Sequence, residues 1–343
     1  MSVVTISSSA AQRPIFAGVD VGGTSIKIGL VDDRGRTIGA TKIVTRADDA
    51  VSVAIAEVNQ ALRSLCEEHR VSYDEVMAVG LGTPGTMDIP GGMILEPPNL
   101  PGWRHFPIRD ALATACERPV TFANDAGAAA YGEFWVGAGH AFELVCVFTL
   151  GTGVGGGVIL GDVSLDGAHS HGAEFGHIVI DTTPTARMCS CGKPGHLEAY
   201  ASATGLVGQA VERLAEHPTS ALAAFAPEAL TAYEVAQAAE RGDTLALELV
   251  DEVASRLAMG VLAVTHVIDP QAVILGGAMN FGGNDAELGR RFIEGVRSRF
   301  RELTFPVQAE QTVIEFASLG GSAGYIGAAG LARLAMSKRS EGN

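Results

Sequence analysis

Short hydrophobic runs ending in glycine turns open this chain, and longer stretches with apolar residues three and four apart follow them. Residues 15–21 read as a buried strand, 25–31 and 38–44 as two more, with a hairpin turn at 32–35. Residues 49–69 place Val51, Ile55, Val58, Leu62 and Leu65 on one helical face. A strand at 76–81 runs into Gly82-Thr83-Pro84-Gly85. The Gly/Pro-rich segment after it, bearing Asn99 and Trp103, is expected to be mobile, and a short helix follows at 106–116. A strand at 120–123 ends in Asn124-Asp125, and a helix of small residues, 126–134, starts at once. The pattern then restarts with strand 145–150, the turn Gly151-Thr152-Gly153-Val154-Gly155-Gly156-Gly157, and strand 158–160. Helices at 199–217, 231–240, 244–267 and 285–300 surround strands at 272–275 and 314–317, and Gly320-Gly321 turns into a closing helix at 323–334. Residues 1–14 are expected to form a disordered lead, and the tail from Lys338 to fray.

The order of these elements is that of an α/β protein. A dinucleotide-binding fold needs a helix directly after its first glycine turn, whereas a strand follows Asp20-Val21-Gly22-Gly23-Thr24. The turn therefore joins two antiparallel strands, and its backbone N–H groups can still cup phosphate oxygens. The same strand, Gly/Thr-rich turn and strand recur at residue 145. Two such units suggest an internally duplicated fold, one phosphate-binding hairpin per half.

The 343 residues, 47% of them hydrophobic, are enough for two domains with separate cores, the first expected to span 15–123 with about 323–337 and the second 124–322. A net charge of −15 argues against nucleic-acid or anionic-membrane binding and leaves room for a local phosphate pocket. The N-terminus has neither the basic nor the apolar part of a signal peptide. No run reaches the roughly eighteen apolar residues of a membrane span. Five cysteines read as reduced thiols, so a cytoplasmic location is expected. Of these, Cys66, Cys116 and Cys146 lie in apolar or helical surroundings and are expected to be inert.

The other two carry chemistry. Cys189 and Cys191 stand two apart, His196 follows five residues on, and His177 precedes by twelve. Two thiolates and two imidazoles complete one closed tetrahedral zinc site with no open position. The alternative is a pair of reduced surface cysteines beside unrelated histidines. Asp125, at a strand end beside Asn124, is a candidate general base for phosphoryl transfer, and Asp20 a candidate for the Mg²⁺–phosphate end. Each has a plainer alternative: a helix N-cap for Asp125 and a turn aspartate for Asp20. Glu174, Glu198, Asn99 and Asn124 are types that grip the vicinal hydroxyls of a polyol. No Gly-x-x-x-x-Gly-Lys-Ser/Thr run exists, which disfavours a P-loop enzyme.

Asp20 to Thr24, Gly82 to Gly85, Asn124-Asp125, Leu150 to Gly155, Glu174-Phe175-Gly176-His177 and the Cys189–Glu198 run together resemble the ROK family of sugar kinases and regulators, over about residues 15–334. The resemblance implies an actin-like ATPase fold, ribonuclease H-like and duplicated, with two α/β domains around a central cleft and the last helix returning to the first domain. It implies ATP- and Mg²⁺-dependent phosphorylation of the 6-hydroxyl of glucose, with Asp125 as base and structural Zn²⁺. By the same resemblance Gly85, Asn99, Asn124, Asp125, Glu174, His177 and Glu198 line the sugar site. Asp20, Gly22, Gly23, Thr24, Lys27, Gly151, Thr152, Gly153, Gly276, Gly277, Gly320 and Gly321 border the nucleotide. His177 has claims from both zinc and sugar, which its two ring nitrogens allow.

One position departs from the family pattern: its third cysteine is His196 here, which still completes a Cys₂His₂ set. Kinases for fructose or N-acetylmannosamine share this frame, as do sugar-binding regulators. A regulator's DNA-binding domain has only about fourteen polar residues in which to fit before the first strand. The donor, ATP or polyphosphate, stays open. A homodimer is expected, with the helices after Ala199 supplying either interface or core.

Overall fold

The computed structural model describes residues 5–97 and 99–341. The first half contains β1 (Ile15–Val21), β2 (Ser25–Asp32), β3 (Thr37–Val44), α1 (Val51–Glu68), β4 (Val76–Thr83), the small hairpin β5 (Met87–Asp88) and β6 (Met93–Ile94), α2 (Ile108–Cys116), β7 (Val120–Asn124) and α3 (Asp125–Val136). Next come β8 (Leu144–Leu150), β9 (Val154–Leu160), β10 (Val163–Ser164), α4 (Glu198–Ala201), α5 (Ala203–Arg213), α6 (Ala232–Glu240) and α7 (Thr244–Ile268). The chain closes with β11 (Ala272–Gly277), α8 (Glu287–Leu303), α9 (Pro306–Gln311), β12 (Val313–Phe316) and α10 (Ala323–Glu341).

The first sheet has the order β3-β2-β1-β4-β7, with β1, β2 and β3 antiparallel and β1, β4 and β7 parallel. The second has the order β10-β9-β8-β11-β12, with β8, β11 and β12 parallel. Numbered within its own half, each sheet reads 3-2-1-4-5. The repeat of glycine turns in the sequence is thus a repeat of topology, since each turn joins the first two strands of its sheet.

By contacts the chain divides into two compact units. One holds the residues up to Glu143, Gly157–Ala173 and Ser318 onward; the other holds Leu144–Gly156 and Glu174–Ala317. The division differs from the expected second domain of 124–322: α3 packs with the first unit, chiefly on α10, and Gly157–Ala173 and Ser318–Ser322 also fall in that unit.

The first unit is closed by α10, which lies on β1, β4 and α3. That approach depends on missing side chains. A Cβ on Gly18 would fall 1.7 Å from the Tyr325 carbonyl oxygen, one on Gly80 1.7 Å from that of Ala328, and one on Gly327 1.6 Å from that of Ala128. Helix backbone therefore touches sheet backbone, with Phe16, Val31, Tyr325, Ile326 and Ala329 buried at the seam. Gly80→Val is expected to lower stability by at least about 1–3 kcal/mol, because rigid backbone on both sides cannot yield. A denaturant midpoint unchanged from wild type would contradict this close contact.

Two expected irregular segments are ordered. Residues 5–14 dock on the first sheet: Ile6 N donates to the Thr37 carbonyl (2.9 Å) and Gln12 N to Asp32 (2.9 Å). Residues 1–4, also expected to be disordered, lie outside the described residues. Asp32 is fully buried and also accepts from Arg34 N, Arg36 N and the Arg36 guanidinium. Burial pushes its carboxyl up, but these bonds outweigh burial and hold it below the usual carboxylate range. The described part of the Gly/Pro-rich stretch is likewise pinned to the core by Ile94, Leu100 and Trp103, all at most 2% exposed, and Pro98 lies outside the described residues. At the other end, where fraying was expected from Lys338, α10 runs to Glu341, and residues 342–343 lie outside the described residues.

In the second unit α7 buries Leu249, Val253, Leu257 and Val261 along one side and packs on α6 and α8. Asp243 caps its start, and Asp269 in the left-handed conformation ends it ahead of Pro270. Among the described residues no helix is long and apolar enough to cross a membrane.

Candidate active site and metal centre

In the first unit, the strand ends of β1, β4 and β7 present the expected residues. The first glycine turn is tied down by Gly22 N to the Ser25 carbonyl (3.0 Å) and by Thr45 Oγ1 to the Gly22 carbonyl (2.7 Å). A Cβ on Gly23 would lie 3.7 Å from that of Asn99, so this turn and the Asn99 loop are neighbours. Gly85 has φ +91°, and a side chain there would strike Pro97.

Asp20, Lys27 and the Gly320-Gly321 turn form a second group. Lys27 Nζ donates to the Gly321 carbonyl at 2.8 Å and stands 4.0 Å from the Asp20 carboxylate. A Cβ on Gly324 would fall 2.4 Å from that carboxylate, so Asp20 rests against the first turn of α10. Burial pushes Asp20 above the usual aspartate value, and Lys27 opposes it. An oxygen donor of this kind, beside a glycine turn, suits Mg²⁺ bound through phosphate.

At the start of α3 the cap residue is defined. Asn124 is the N-cap: its Oδ1 accepts from Ala126 N (2.9 Å) and Gly127 N (3.2 Å). Asp125 is the first helical residue, half-buried, with its Oδ1 2.9 Å from Ala126 N. The N-cap is therefore Asn124, which uses its amide oxygen for it, while the Asp125 carboxylate shares the Ala126 N–H.

In the second unit the sugar-type and metal-type residues share one loop system. Phe175 is buried against Phe148 (centroids 4.6 Å apart), and Gly176 sits under the Val154 carbonyl, where a Cβ would come within 2.2 Å. These contacts anchor Glu174 and His177 to β8 and β9. The loop bearing the cysteines is closed by Cys189 N to the Lys193 carbonyl (2.9 Å) and by Gly192 and Gly195, both at positive φ. His196 is paired with Val179 through a β-bridge.

One ligand atom from each of His177, Cys189, Cys191 and His196 lies within 4.8 Å of the others. The two Nδ1 atoms are 3.3 Å apart, Cys191 Sγ to His196 Nδ1 is 3.2 Å, and Cys189 Sγ to His177 Nδ1 is 3.9 Å. Tetrahedral zinc with ordinary bond lengths separates two nitrogens by about 3.3 Å, and a nitrogen from a sulfur by about 3.6 Å. The observed spacings bracket these edges, so the donor set fits such an ion. His196 points inward with the other three. Burial, then the His177 ring, pushes its imidazole below the usual value, which favours the neutral form that binds metal. His177 turns Nδ1 to this group and its Nε2 to Glu174, 3.9 Å away.

Glu198 links the metal loop to the second glycine turn. Its Oε1 accepts from Ser190 Oγ at 2.8 Å, and its Oε2 from Val154 N at 3.0 Å. A Cβ on Gly153 would fall 2.2 Å from Oε2. The turn is further held by Ala203 N to the Gly151 carbonyl (2.9 Å) and Thr204 Oγ1 to the Thr152 carbonyl (2.8 Å). Gly277, at φ +93°, ends β11 alongside β8, where a Cβ would meet the Leu150 carbonyl at 2.1 Å; Gly276, one residue before, has the Ala317 Cβ near. Ser190 was not a sequence candidate, and its only signal is its place between two cysteines. Cys66, Cys116 and Cys146 are buried, and burial pushes their thiols up to about 11, 11 and 12, as suits inert residues.

The two sheets thus share one strand order, a glycine turn opens each, and an Asn-Asp pair starts a helix at a strand end. The chain belongs to the ROK family, whose profile matches residues 16–335. It is 33% identical to the glucokinase of Halalkalibacterium halodurans over 330 residues, covering 96% of this chain and 98% of that one. Among solved structures it resembles the ROK hexokinase of Thermus thermophilus (TM-score 0.77, 31% identity, 94% of this chain and 99% of that). It also resembles a ROK glucokinase of Streptomyces griseus in complex with glucose and AMPPNP (TM-score 0.76, 33% identity, 93% and 99%). The chain has the α/β fold of ROK kinases.

Proposed function

We propose that this protein phosphorylates the 6-hydroxyl of glucose with ATP, using Asp125 as general base. The observation that carries the reading is the family match across nearly the whole chain, with Asn124-Asp125 retained at a strand-to-helix junction where Asn124 takes the cap. Asp125 receives the hydroxyl proton as that oxygen bonds to the γ-phosphorus and the bond to the departing ADP breaks. Glu174, His177, Glu198, Asn99 and Asn124 orient the sugar, with Gly85 giving the backbone close approach. Gly22, Gly23 and Thr24, with Gly151, Thr152 and Gly153, supply amides toward phosphates, while Lys27 and Asp20 face the Mg²⁺–phosphate end. Gly276, Gly277, Gly320 and Gly321 border the rest of the nucleotide. When bound, Mg²⁺ neutralises charge on the phosphate oxygens. His177, Cys189, Cys191 and His196 hold a structural Zn²⁺ that shapes the loop carrying Glu198. The 3-2-1-4-5 order in both sheets supports the duplicated, ribonuclease H-like, actin-like reading of the fold.

The test is coupled ADP release over glucose, fructose, mannose and N-acetylmannosamine, with ATP or polyphosphate as donor. Glucose with ATP is expected to give the highest kcat/KM. A higher value for another hexose would overturn the substrate assignment, and glucose binding without turnover would overturn the kinase.

A further inference from the structure

We infer that Glu133 is a positioning residue for the nucleotide, fastening the Ser318–Gly321 turn to the helix that begins at Asp125. The inference rests on reading that turn as a border of the nucleotide site.

Glu133 lies on α3 and is only 1% exposed. Its Oε2 accepts from Ala138 N (2.9 Å), Ser318 N (3.0 Å) and Ser318 Oγ (3.3 Å), and its Oε1 from Leu319 N (2.8 Å). Both oxygens of the carboxylate are thus engaged, three donors on Oε2 and one on Oε1, and such pairing is the condition for keeping the group away from water. Three of the four donors belong to the short stretch that leads into Gly320-Gly321. Gly137 makes room for the carboxylate, since a Cβ there would fall 2.1 Å from Oε2. One residue before Glu133, Gly132 seats against the Ala323 carbonyl, which a Cβ would approach to 2.5 Å. Successive residues of α3 thus grip both ends of 318–323.

The turn is held from the other side by Lys27, whose Nζ donates to the Gly321 carbonyl and also faces Asp20. It is therefore suspended between the Mg²⁺–phosphate group on β1 and β2 and the helix of the general base. Glu133 lies eight residues after Asp125, about 12 Å along the axis of the same helix. Losing the carboxylate frees the Ser318 end of the turn and leaves Asn124, Gly85 and the sugar loops untouched. A role in folding alone would weaken both ligands together. A positioning role weakens the nucleotide selectively.

Glu133→Gln, made in the full-length chain, is the direct test, because glutamine keeps the shape but turns an NH₂ toward backbone N–H donors. Kd for Mg²⁺–ADP and KM for ATP are expected to rise about tenfold, the equivalent of one charge-assisted bond. Kd for glucose, measured by calorimetry without nucleotide, should stay within about twofold. Equal fold changes for glucose and ADP, or no change in either, would overturn the inference. If Glu133→Gln does not fold, Glu133→Asp draws the carboxylate back by one methylene; the same split, at about threefold, is expected, and a parallel change counts against it. A wild-type chain that fails to bind ADP would remove the nucleotide reading of the turn and this inference with it. A wild type that binds ADP normally, beside an unselective variant, overturns this inference alone.

Discussion

Asp125→Asn is expected to lower kcat by about 10²–10⁴, the range for losing a general base, while glucose binding stays within a few-fold of wild type. The asparagine fits the same space at the first position of α3, and Asn124 continues to supply the cap to Ala126 N and Gly127 N. Folding is therefore preserved, and the loss falls on proton removal. Single-turnover phosphoryl transfer with saturating ATP and glucose separates this chemical step from product release. A variant with more than about a tenth of wild-type kcat would show that Asp125 is not the base.

The second large effect concerns the metal. The purified protein is expected to carry one zinc per chain, and stripping it with a chelator should weaken glucose binding far more than ADP binding. The reason is local: Ser190 lies between two of the ligands and its hydroxyl holds Glu198, while His177 belongs to both the metal set and the Glu174 pair. His196→Ala should weaken zinc by more than the roughly 100-fold typical of losing a supporting partner, since it removes a ligand outright. His196→Cys should retain the ion. Unchanged zinc stoichiometry and affinity in His196→Ala would eliminate His196 as a ligand. Unchanged glucose affinity in zinc-free protein would eliminate the preorganising role of the loop.

Apart from Ser190, which the chain alone did not single out, both effects depend on residues that could be named from the sequence. Asp125 is legible because a strand pattern stops and a helix pattern begins at Asn124, and strand ends are where such sheets present ligand groups. The metal set is legible because soft ligands are concentrated within twenty residues of one another. Glu133 was not. It appears as one acidic residue in a helix of small and apolar ones, and its partners Ser318 and Leu319 lie 185 and 186 positions away. No local pattern carries that pairing. The same holds for residues 5–14, whose polar composition suggested disorder. Asp32, at the end of a strand, supplies the acceptor that orders them.

Periodicity and glycine placement by themselves located most of the longer elements and the doubling of the strand–turn–strand unit, and residue type and spacing singled out the Cys/His donor set and the Asn-Asp pair. These are properties of residues near one another in the chain. The short β5, β6, β10 and α9 and the break at Ser202 in the expected helix 199–217 were not legible. Tertiary structure decided what depends on distant segments meeting. It assigned α3 to the first unit, gave the cap to Asn124 with Asp125 beside it, and turned His196 toward His177, Cys189 and Cys191. It also seated α10 on Gly18 and Gly80. The physical reason is shared: close packing and buried hydrogen bonds are satisfied by whatever atoms arrive in space, and distance along the chain does not restrict which ones do.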